Sequence, residues 1–226
     1  MCGRFVSTQS RYALSEYFNA SFADGDDELP PSYNVAPSRQ VYTVAGSRSG
    51  RRLGLMTWGL MASWTKAGAT GRRPINARAE SVATNGLFAS ALARRRCLVP
   101  ADGFYEWRRH PGVRQPFFFA SPTGRPLGLA ALWDRWQGPD PADPPLLSFA
   151  VVTTAANATV GPLHDRMPAL LEGLALDHWL DPSITDPDYL ASLLVPAPPD
   201  WLTMREVDPR VNNANNDGPE LLGITA

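Results

Sequence analysis

Short apolar runs broken by proline and glycine dominate the hydrophobic pattern of this chain. Runs rich in β-branched and aromatic residues predict strands over residues 41–44, 53–58, 116–120, 128–133 and 147–153. Less regular runs predict further strands over 163–171 and 203–207. Strands therefore make up most of the predicted secondary structure.

Helical periodicity is confined to a few short segments. A helix over residues 10–18 would carry Leu14, Tyr17 and Phe18 on one face. The other predicted helices span 86–95, 178–180 with Asp177 as N-cap, and 187–195 with Asp186 as N-cap.

Tight loops connect these elements, since the chain contains 22 prolines. A length of 226 residues fits one domain, and no composition shift divides it. Many short strands with few helices predict an α+β fold: a single domain, residues 1–226, built on a strongly curved, mostly antiparallel sheet or barrel-like core. About the last ten residues are expected to form a flexible tail.

Composition excludes several classes of protein. No apolar run approaches the ~20 residues of a membrane helix, and the N-terminus lacks the charged and apolar regions of a signal peptide, so we expect a cytoplasmic protein without membrane contact. Two cysteines, Cys2 and Cys97, make no disulfide framework, and with three scattered histidines they suggest neither a metal nor another cofactor. The net charge of −1 gives no overall sign of nucleic-acid binding.

Cys2 is the most informative residue. Removal of Met1 would leave a free α-amine, with a pKa of about 7.7–8.0, beside a thiol with a pKa of about 8.5. Such a 1,2-aminothiol condenses with an aldehyde to an imine, which the thiol then closes to a five-membered thiazolidine. No internal cysteine can form this ring.

Glu106 stands among Phe104, Tyr105 and Trp107, after a predicted turn at residues 102–103. A carboxyl group in aromatic surroundings is desolvated and suited to proton transfer. A surface strand with Glu106 in water is the structural alternative.

Other polar groups also suggest a site. Asn76, Arg78 and Glu80 would share one face of a strand, where burial requires pairing or a ligand. His164 follows a predicted strand and a polar loop, and can act as an acid or base. Trp58 and Trp64 are either stacking platforms or core residues.

Six segments together resemble one family. These are the start Met-Cys-Gly-Arg, residues 33–37, 58–64, 76–80, 99–107 and 164–168, in this order. The series is similar to the SRAP family, the SOS-response-associated peptidases that process abasic sites in DNA, and spans residues 2 to 217.

The resemblance implies a mechanism and a set of roles. The Cys2 amine would attack the aldehyde of an abasic site in single-stranded DNA, and the thiol would complete a covalent thiazolidine crosslink. Asn76 would position the reacting carbon, Glu106 would transfer protons, and His164 would protonate the sugar oxygen. Modest lyase activity on the abasic strand is a further implication, and the peptidase activity would be either self-removal of Met1 or release of the crosslink.

The resemblance also suggests DNA contacts. The candidates are Arg4, Arg78, Trp64, Thr154, Arg72 and Arg73. It implies a monomer whose partner is single-stranded DNA containing an abasic site, with replication-fork proteins as candidate further partners.

Three other functions remain open from the sequence. Glutamine amidotransferases also begin Met-Cys-Gly and use the cysteine as an N-terminal nucleophile, but the Arg-rich and Asn-Gly elements of that family are not matched beyond Asn85-Gly86. A non-covalent single-strand-binding module would use the tryptophans and arginines alone. A cysteine protease acting on foreign peptides is the third.

Overall fold

The computed structural model describes residues 2–22, 28–68, 73–110 and 113–223. Thirteen strands and four α-helices occur in these ranges. The strands are β1 (Phe5–Ser7), β2 (Ala20–Ser21), β3 (Ser32–Val35), β4 (Gln40–Ser47), β5 (Gly50–Trp58), β6 (Asn76–Arg78), β7 (Arg96–Ala101), β8 (Gly103–His110), β9 (Val113–Ala120), β10 (Leu127–Trp136), β11 (Leu146–Ala155), β12 (Arg166–Pro168) and β13 (Thr203–Glu206). The helices are α1 (Arg11–Phe18), α2 (Ala89–Arg94), α3 (Gly173–Leu180) and α4 (Pro187–Ser192), with 3₁₀ turns at Ala79–Ser81, Pro199–Trp201, Pro209–Asn212 and Pro219–Leu222.

The larger sheet closes on itself. Its strand order is β12-β11-β10-β7-β4-β5-β2, and β5 also pairs with β11, so β4, β5, β11, β10 and β7 form a ring. The closing contact is parallel and short, joining Thr57 to Ser148 and Trp58 to Phe149, whereas the other pairs of the ring are antiparallel. The predicted α+β fold with a curved, mostly antiparallel, barrel-like core is confirmed.

A second, antiparallel sheet has the order β13-β9-β8-β1-β3. The chain enters it from β7 at the predicted turn, where the Asp102 carboxylate accepts hydrogen bonds from the backbone and hydroxyl of Thr8. A Cβ at Gly103 would lie 2.3 Å from the Phe119 carbonyl oxygen, so only glycine fits this passage. The strands on either side of the turn therefore belong to different sheets and form no hairpin.

Aromatic side chains fill the space beneath the second sheet. Trp58 is fully buried, lies parallel to Phe149 at a centroid distance of 6.4 Å, and contacts Phe5 at 5.0 Å. Cys97 is buried in the same cluster, as a small apolar residue. Trp58 is thus a core residue and no stacking platform.

Helix ends agree with the sequence at some positions only. Asp186 caps α4 as predicted, through the amides of residues 188 and 189, whereas Ser10, the first residue of the predicted helix, is the N-cap of α1. Asp177 is no cap: α3 begins four residues earlier, and the Asp177 carboxylate pairs with Arg51. Tyr17 is 41% exposed, so the predicted apolar face of α1 is narrower than expected.

A buried arginine ties the helices to the barrel. The Arg96 guanidinium donates to the carbonyl oxygens of Leu92 and Ala93 in α2, and to those of Trp179 and Asp181 at the end of α3. Its positive charge thereby meets the negative ends of two helix dipoles.

Two other predictions differ from the structure. The strand expected over 163–171 is limited to β12, apart from a single bridge between Leu129 and Leu170. The expected flexible tail is wrong as far as residue 223, because Leu221 and Leu222 are buried; residues 224–226 lie outside the described part. In the described ranges, no helix is long and apolar enough to cross a membrane.

Candidate active site

Cys2 lies at the entrance to β1 and is fully buried. Pairing of Phe5 with Phe104 and a 3.0 Å bond from the Tyr105 amide to the Arg4 carbonyl hold this segment along β8. Burial raises the pKa of the Cys2 thiol to about 12, and the negative charge of Glu106 adds to the rise. The thiol is therefore neutral at physiological pH and lies within electrostatic reach of a carboxylate.

Asn76 holds the main chain of the candidate nucleophile. Its Nδ2 donates a hydrogen bond of 2.9 Å to the Cys2 carbonyl oxygen. Pairing of β6 with β11 positions the amide, since Asn76 lies opposite Val151. The Asn76 Oδ1 is buried and has no hydrogen-bond partner among the described residues. This oxygen is therefore available for a donor brought by the reaction.

Glu106 is buried on β8, with 3% of its surface exposed, opposite Phe117 on β9. The prediction of a desolvated carboxyl group is confirmed, and the surface-strand alternative is wrong. Its charge acts on Cys2 across the β1–β8 pair. Cys2, Asn76 and Glu106 thus meet at one place, although they are distant in sequence.

His164 precedes β12, between Leu163 and Met167, which both pack in the cluster that contains Cys2. Its Nδ1 accepts a 2.9 Å hydrogen bond from the Arg166 amide. A neutral imidazole that accepts at Nδ1 carries its proton on Nε2, which is then the donor. The Asp165 carboxylate also lies 2.9 Å from Nδ1, so it can accept a bond there when the ring is protonated.

Glu80 differs from its prediction. β6 ends at Arg78, and Glu80 belongs to the following 3₁₀ turn, so it does not continue the face of Asn76 and Arg78. Its carboxylate forms two hydrogen bonds with the guanidinium of Arg166, at 2.6 and 2.9 Å. Arg166 lowers the pKa of Glu80 and links the His164 loop to the segment after Asn76.

An open groove leads to Asn76. Its lining includes Pro37, Ser38, Gly59 and residues 73–75. Arg73 lines this groove and is exposed. Arg78 is exposed as well, but it is not a lining residue of the groove. Trp64 is 71% exposed.

The other three predicted DNA contacts, Arg4, Thr154 and Arg72, are not seen as exposed residues of the groove. Arg4 is partly buried, and its Nη1 donates to Asn34 Oδ1 at 2.7 Å and to the Val211 carbonyl at 2.9 Å. Thr154 is buried at the β11–β12 pair, so it is no surface contact in this structure. Arg72 lies outside the described residues.

Sequence reasoning missed two supporting residues. Arg166, at the start of β12, fixes His164 through its amide and Glu80 through its side chain, but the sequence around it indicates neither contact. Asn34 is buried and donates to three carbonyl groups of the loop at 211–216, while its Oδ1 accepts from Arg4. The position of this polar amide between Tyr33 and Val35 was the feature of the sequence that indicated such a role. In the described part of the chain, no three His, Cys, Asp or Glu residues are grouped as a metal site.

The family model for SOS response associated peptidase (SRAP) matches residues 1–214. The chain belongs to the SRAP family. The matched part contains all four candidate catalytic residues of this SRAP chain, and the glutamine amidotransferase alternative is set aside.

Named relatives agree with this membership. The abasic site processing protein YoqW of Bacillus subtilis is 38% identical over 223 residues, covering 98% of this chain and 99% of that protein. The abasic site processing protein YedK of Escherichia coli is 30% identical over 233 residues, with 98% and 99% covered. The abasic site processing protein HMCES of Xenopus tropicalis is 30% identical over 89% of this SRAP chain and 69% of its own length.

Solved structures share the fold. A crystal structure of a protein from Bacteroides thetaiotaomicron superposes with a TM-score of 0.87 over 100% of both chains, at 21% identity. A second, from Bordetella bronchiseptica, gives a TM-score of 0.76 at 25% identity, covering 92% of this SRAP chain and 100% of that chain. At the identity of the first, the likeness concerns the fold alone.

Proposed function

We propose that this chain processes abasic sites in single-stranded DNA by forming a covalent crosslink through Cys2 after removal of Met1. The observation that carries the proposal is the hydrogen bond to the Cys2 carbonyl from Asn76, a residue that lines an open groove. Relatives named for abasic site processing, similar over almost the whole chain, support the same substrate.

The reaction balances without a cofactor. The freed α-amine of Cys2 adds to the aldehyde carbon of the ring-opened sugar, and the resulting carbinolamine loses water to give an imine. The Cys2 sulfur then bonds to the imine carbon, and the thiol proton moves to the nitrogen. The product is a thiazolidine, and the adduct has the mass of protein plus DNA minus one water.

Each site residue has one task in this scheme. Glu106 accepts the proton from the buried Cys2 thiol, which burial and the carboxylate charge keep neutral beforehand. Asn76 Oδ1 accepts a hydrogen bond from the reacting nitrogen, while Nδ2 holds the carbonyl of Cys2. His164 donates from Nε2 to the sugar oxygen during ring opening, because Nδ1 is occupied by the Arg166 amide.

The groove suits an unpaired strand. Its lining of Pro37, Gly59 and residues 74–75 is apolar, as bases and sugars require, and Arg73 supplies charge for phosphate. Exposed Arg78 and Trp64 extend these contacts. Because phosphate contacts release counterions, raised salt should weaken the first encounter.

Two further activities belong to the proposal. An imine to the sugar carbon permits β-elimination, which gives modest lyase activity on the abasic strand. The peptidase activity is hydrolysis of the Met1–Cys2 bond, which consumes one water and frees the amine. A monomeric state and replication-fork partners stay predictions.

A non-covalent single-strand-binding module is the second candidate, favoured by the exposure of Trp64 and by the arginine that lines the groove. In such a module, unlike in the covalent mechanism, Cys2 has no chemical role. The Cys2→Ala variant separates the two, because a passive module would bind abasic and intact strands as the wild type does.

Intact mass spectrometry tests the proposal directly. The purified protein is measured before and after mixing with an oligonucleotide that carries one abasic site. Loss of Met1 and a denaturation-stable adduct of protein plus DNA minus one water are expected for the wild type, no adduct for Cys2→Ala, and at most a labile imine for Cys2→Ser. Cys97→Ala is the matched control and should crosslink normally. A wild-type protein that has lost Met1 and forms no adduct would refute the covalent mechanism.

A further inference from the structure

Trp64 lies at the tip of a tight turn whose backbone is held on both sides. The Thr65 amide donates to the Ala62 carbonyl at 2.9 Å, which closes a four-residue turn with Ser63 and Trp64 at its centre. Trp64 is 71% exposed, although Ala62, two positions earlier, is buried. A large apolar ring is thus presented to solvent on an ordered support.

Two buried polar side chains form this support. Asp134 on β10 accepts a 2.9 Å hydrogen bond from the Ser63 amide, and Ser148 on β11 accepts one of 2.8 Å from the Met61 amide. Asp134 and Ser148 are direct partners in the β10–β11 pair, so one rung of the barrel holds both amides. The Trp136 indole, on the same strand as Asp134, donates to the Thr65 carbonyl at 2.7 Å.

The carboxylate of Asp134 is fixed in turn. Its Oδ1 accepts from the Arg135 amide at 2.8 Å and lies 3.2 Å from Arg95 Nε, which leaves Oδ2 directed at Ser63. Asp134 is 5% exposed and Ser148 is fully buried. Burying a carboxylate is costly unless its partners are well placed. Here the hydrogen-bond donors to Asp134 are the amide of Ser63 in the turn and the amide of Arg135 on β10.

We propose that Asp134 and Ser148 are positioning residues that hold the Trp64 turn in the geometry that stacks on a base of single-stranded DNA. The inference rests on the proposed function, since the bound strand is the substrate of the same site. The pair acts through Trp64 and touches no DNA itself. Pre-organisation of the turn removes the entropy cost of ordering it during binding.

Asp134→Asn tests this role with little change in volume. Oδ1 already accepts from the Arg135 amide and faces the Arg95 guanidinium, so the amide oxygen takes that place and the Nδ2 group faces the Ser63 amide, replacing an acceptor by a donor. We expect Trp64→Ala to weaken binding of an intact single strand about tenfold, as loss of one stacked base does. Asp134→Asn should cause a similar or smaller loss, and the double variant should bind no more weakly than Trp64→Ala alone.

A spectroscopic measurement separates positioning from general loss of structure. With 5-fluorotryptophan in all seven positions, the ¹⁹F resonance of Trp64 is identified by its absence in Trp64→Phe. Asp134→Asn should shift or broaden this resonance selectively. Ser148→Ala should repeat the effect and serves as the test if Asp134→Asn fails to fold. Asp143→Asn, at an exposed site, is the matched control and should match the wild type.

Several results would overturn the inference. These are unchanged DNA binding in both Asp134→Asn and Ser148→Ala, losses that multiply in the double variant, or an unaltered Trp64 resonance. The binding assay uses a strand without an abasic site, so its outcome is independent of crosslinking. If the wild type binds and shows the coupling but forms no abasic adduct, the proposed covalent function fails and the positioning role stands.

Discussion

Asn76 donates a hydrogen bond to the carbonyl of Cys2 across 74 positions of the chain. The bond fixes the orientation of the amide, because its nitrogen must face Cys2 and its oxygen must face away. That oxygen is buried without a donor among the described residues, a situation that costs about 1–3 kcal/mol. The fold thus keeps an acceptor ready beside the candidate nucleophile.

Replacement of Asn76 by aspartate should disturb this arrangement with little change in shape. A carboxylate oxygen would face the Cys2 carbonyl and repel it, so we expect crosslinking to slow about tenfold or more, the effect of about 1.4 kcal/mol on a barrier. Single-turnover crosslinking and binding of an intact strand are measured side by side. Binding should change little, and Asn85→Asp, at an exposed position, is the control. Unchanged crosslinking would contradict the role.

The role of Glu106 is tested by Glu106→Gln, which removes its charge. The Cys2 pKa should then fall below about 12, because the carboxylate contributes to its rise. A purely electrostatic role would therefore make the variant faster, since its thiol is more acidic. A proton acceptor predicts the reverse, with slower crosslinking despite the more acidic thiol. Crosslinking rates over a pH series, with folding checked by circular dichroism, distinguish the two.

Arg96 should matter for stability alone. Arg96→Met leaves four carbonyl groups at the ends of α2 and α3 without their donor, and we expect a loss of about 3 kcal/mol or more in the free energy of unfolding. Urea denaturation provides the measurement. Arg94→Met, an exposed neighbour in the last turn of α2, should cost less than about 1 kcal/mol. If both variants lost the same free energy of unfolding, the buried hydrogen bonds of Arg96 would not contribute to stability as proposed.

Alkaline pH should destabilise the protein. Burial raises the pKa of the thiols of Cys2 and Cys97 above the ordinary value of 9.0, so the folded state keeps protons that the unfolded state has released. Their stabilising effect is complete below pH 9 and declines as the pH rises towards the folded-state values. The slope should approach about 1.4 kcal/mol per pH unit for each thiol. Urea denaturation at pH 8 and pH 10 should detect it, and Cys97→Ala should reduce it.

Local chemistry explains which predictions were correct. Asp186 was predicted as a cap, and it caps α4 because its carboxylate reaches the amides two and three residues ahead, a contact that depends on neighbouring sequence. The burial of Glu106 followed from its aromatic neighbours. Asp177 failed as a cap because α3 begins at Gly173, where the chain leaves the barrel and no side chain marks the start.

Trp58 and Trp64 show what local sequence cannot predict. Trp58 and Trp64 lie six positions apart beside small and apolar residues, yet the first is buried under Phe5 and Phe149 and the second is exposed. The difference comes from the closing contact between β5 and β11, which encloses Trp58 and ends before Trp64. Pairing between strands about ninety residues apart has no local signal.

By itself, the sequence determined the strand-rich fold, the apolar surroundings of Glu106 and the chemistry open to an N-terminal Cys2. Only the tertiary structure decided that Asn76 holds Cys2, that Arg166 pairs with Glu80, and that Asp134 supports the Trp64 turn. Contacts between neighbouring residues can be predicted from the sequence. These three contacts join residues 71 to 86 positions apart, which the pairing of distant strands brings together.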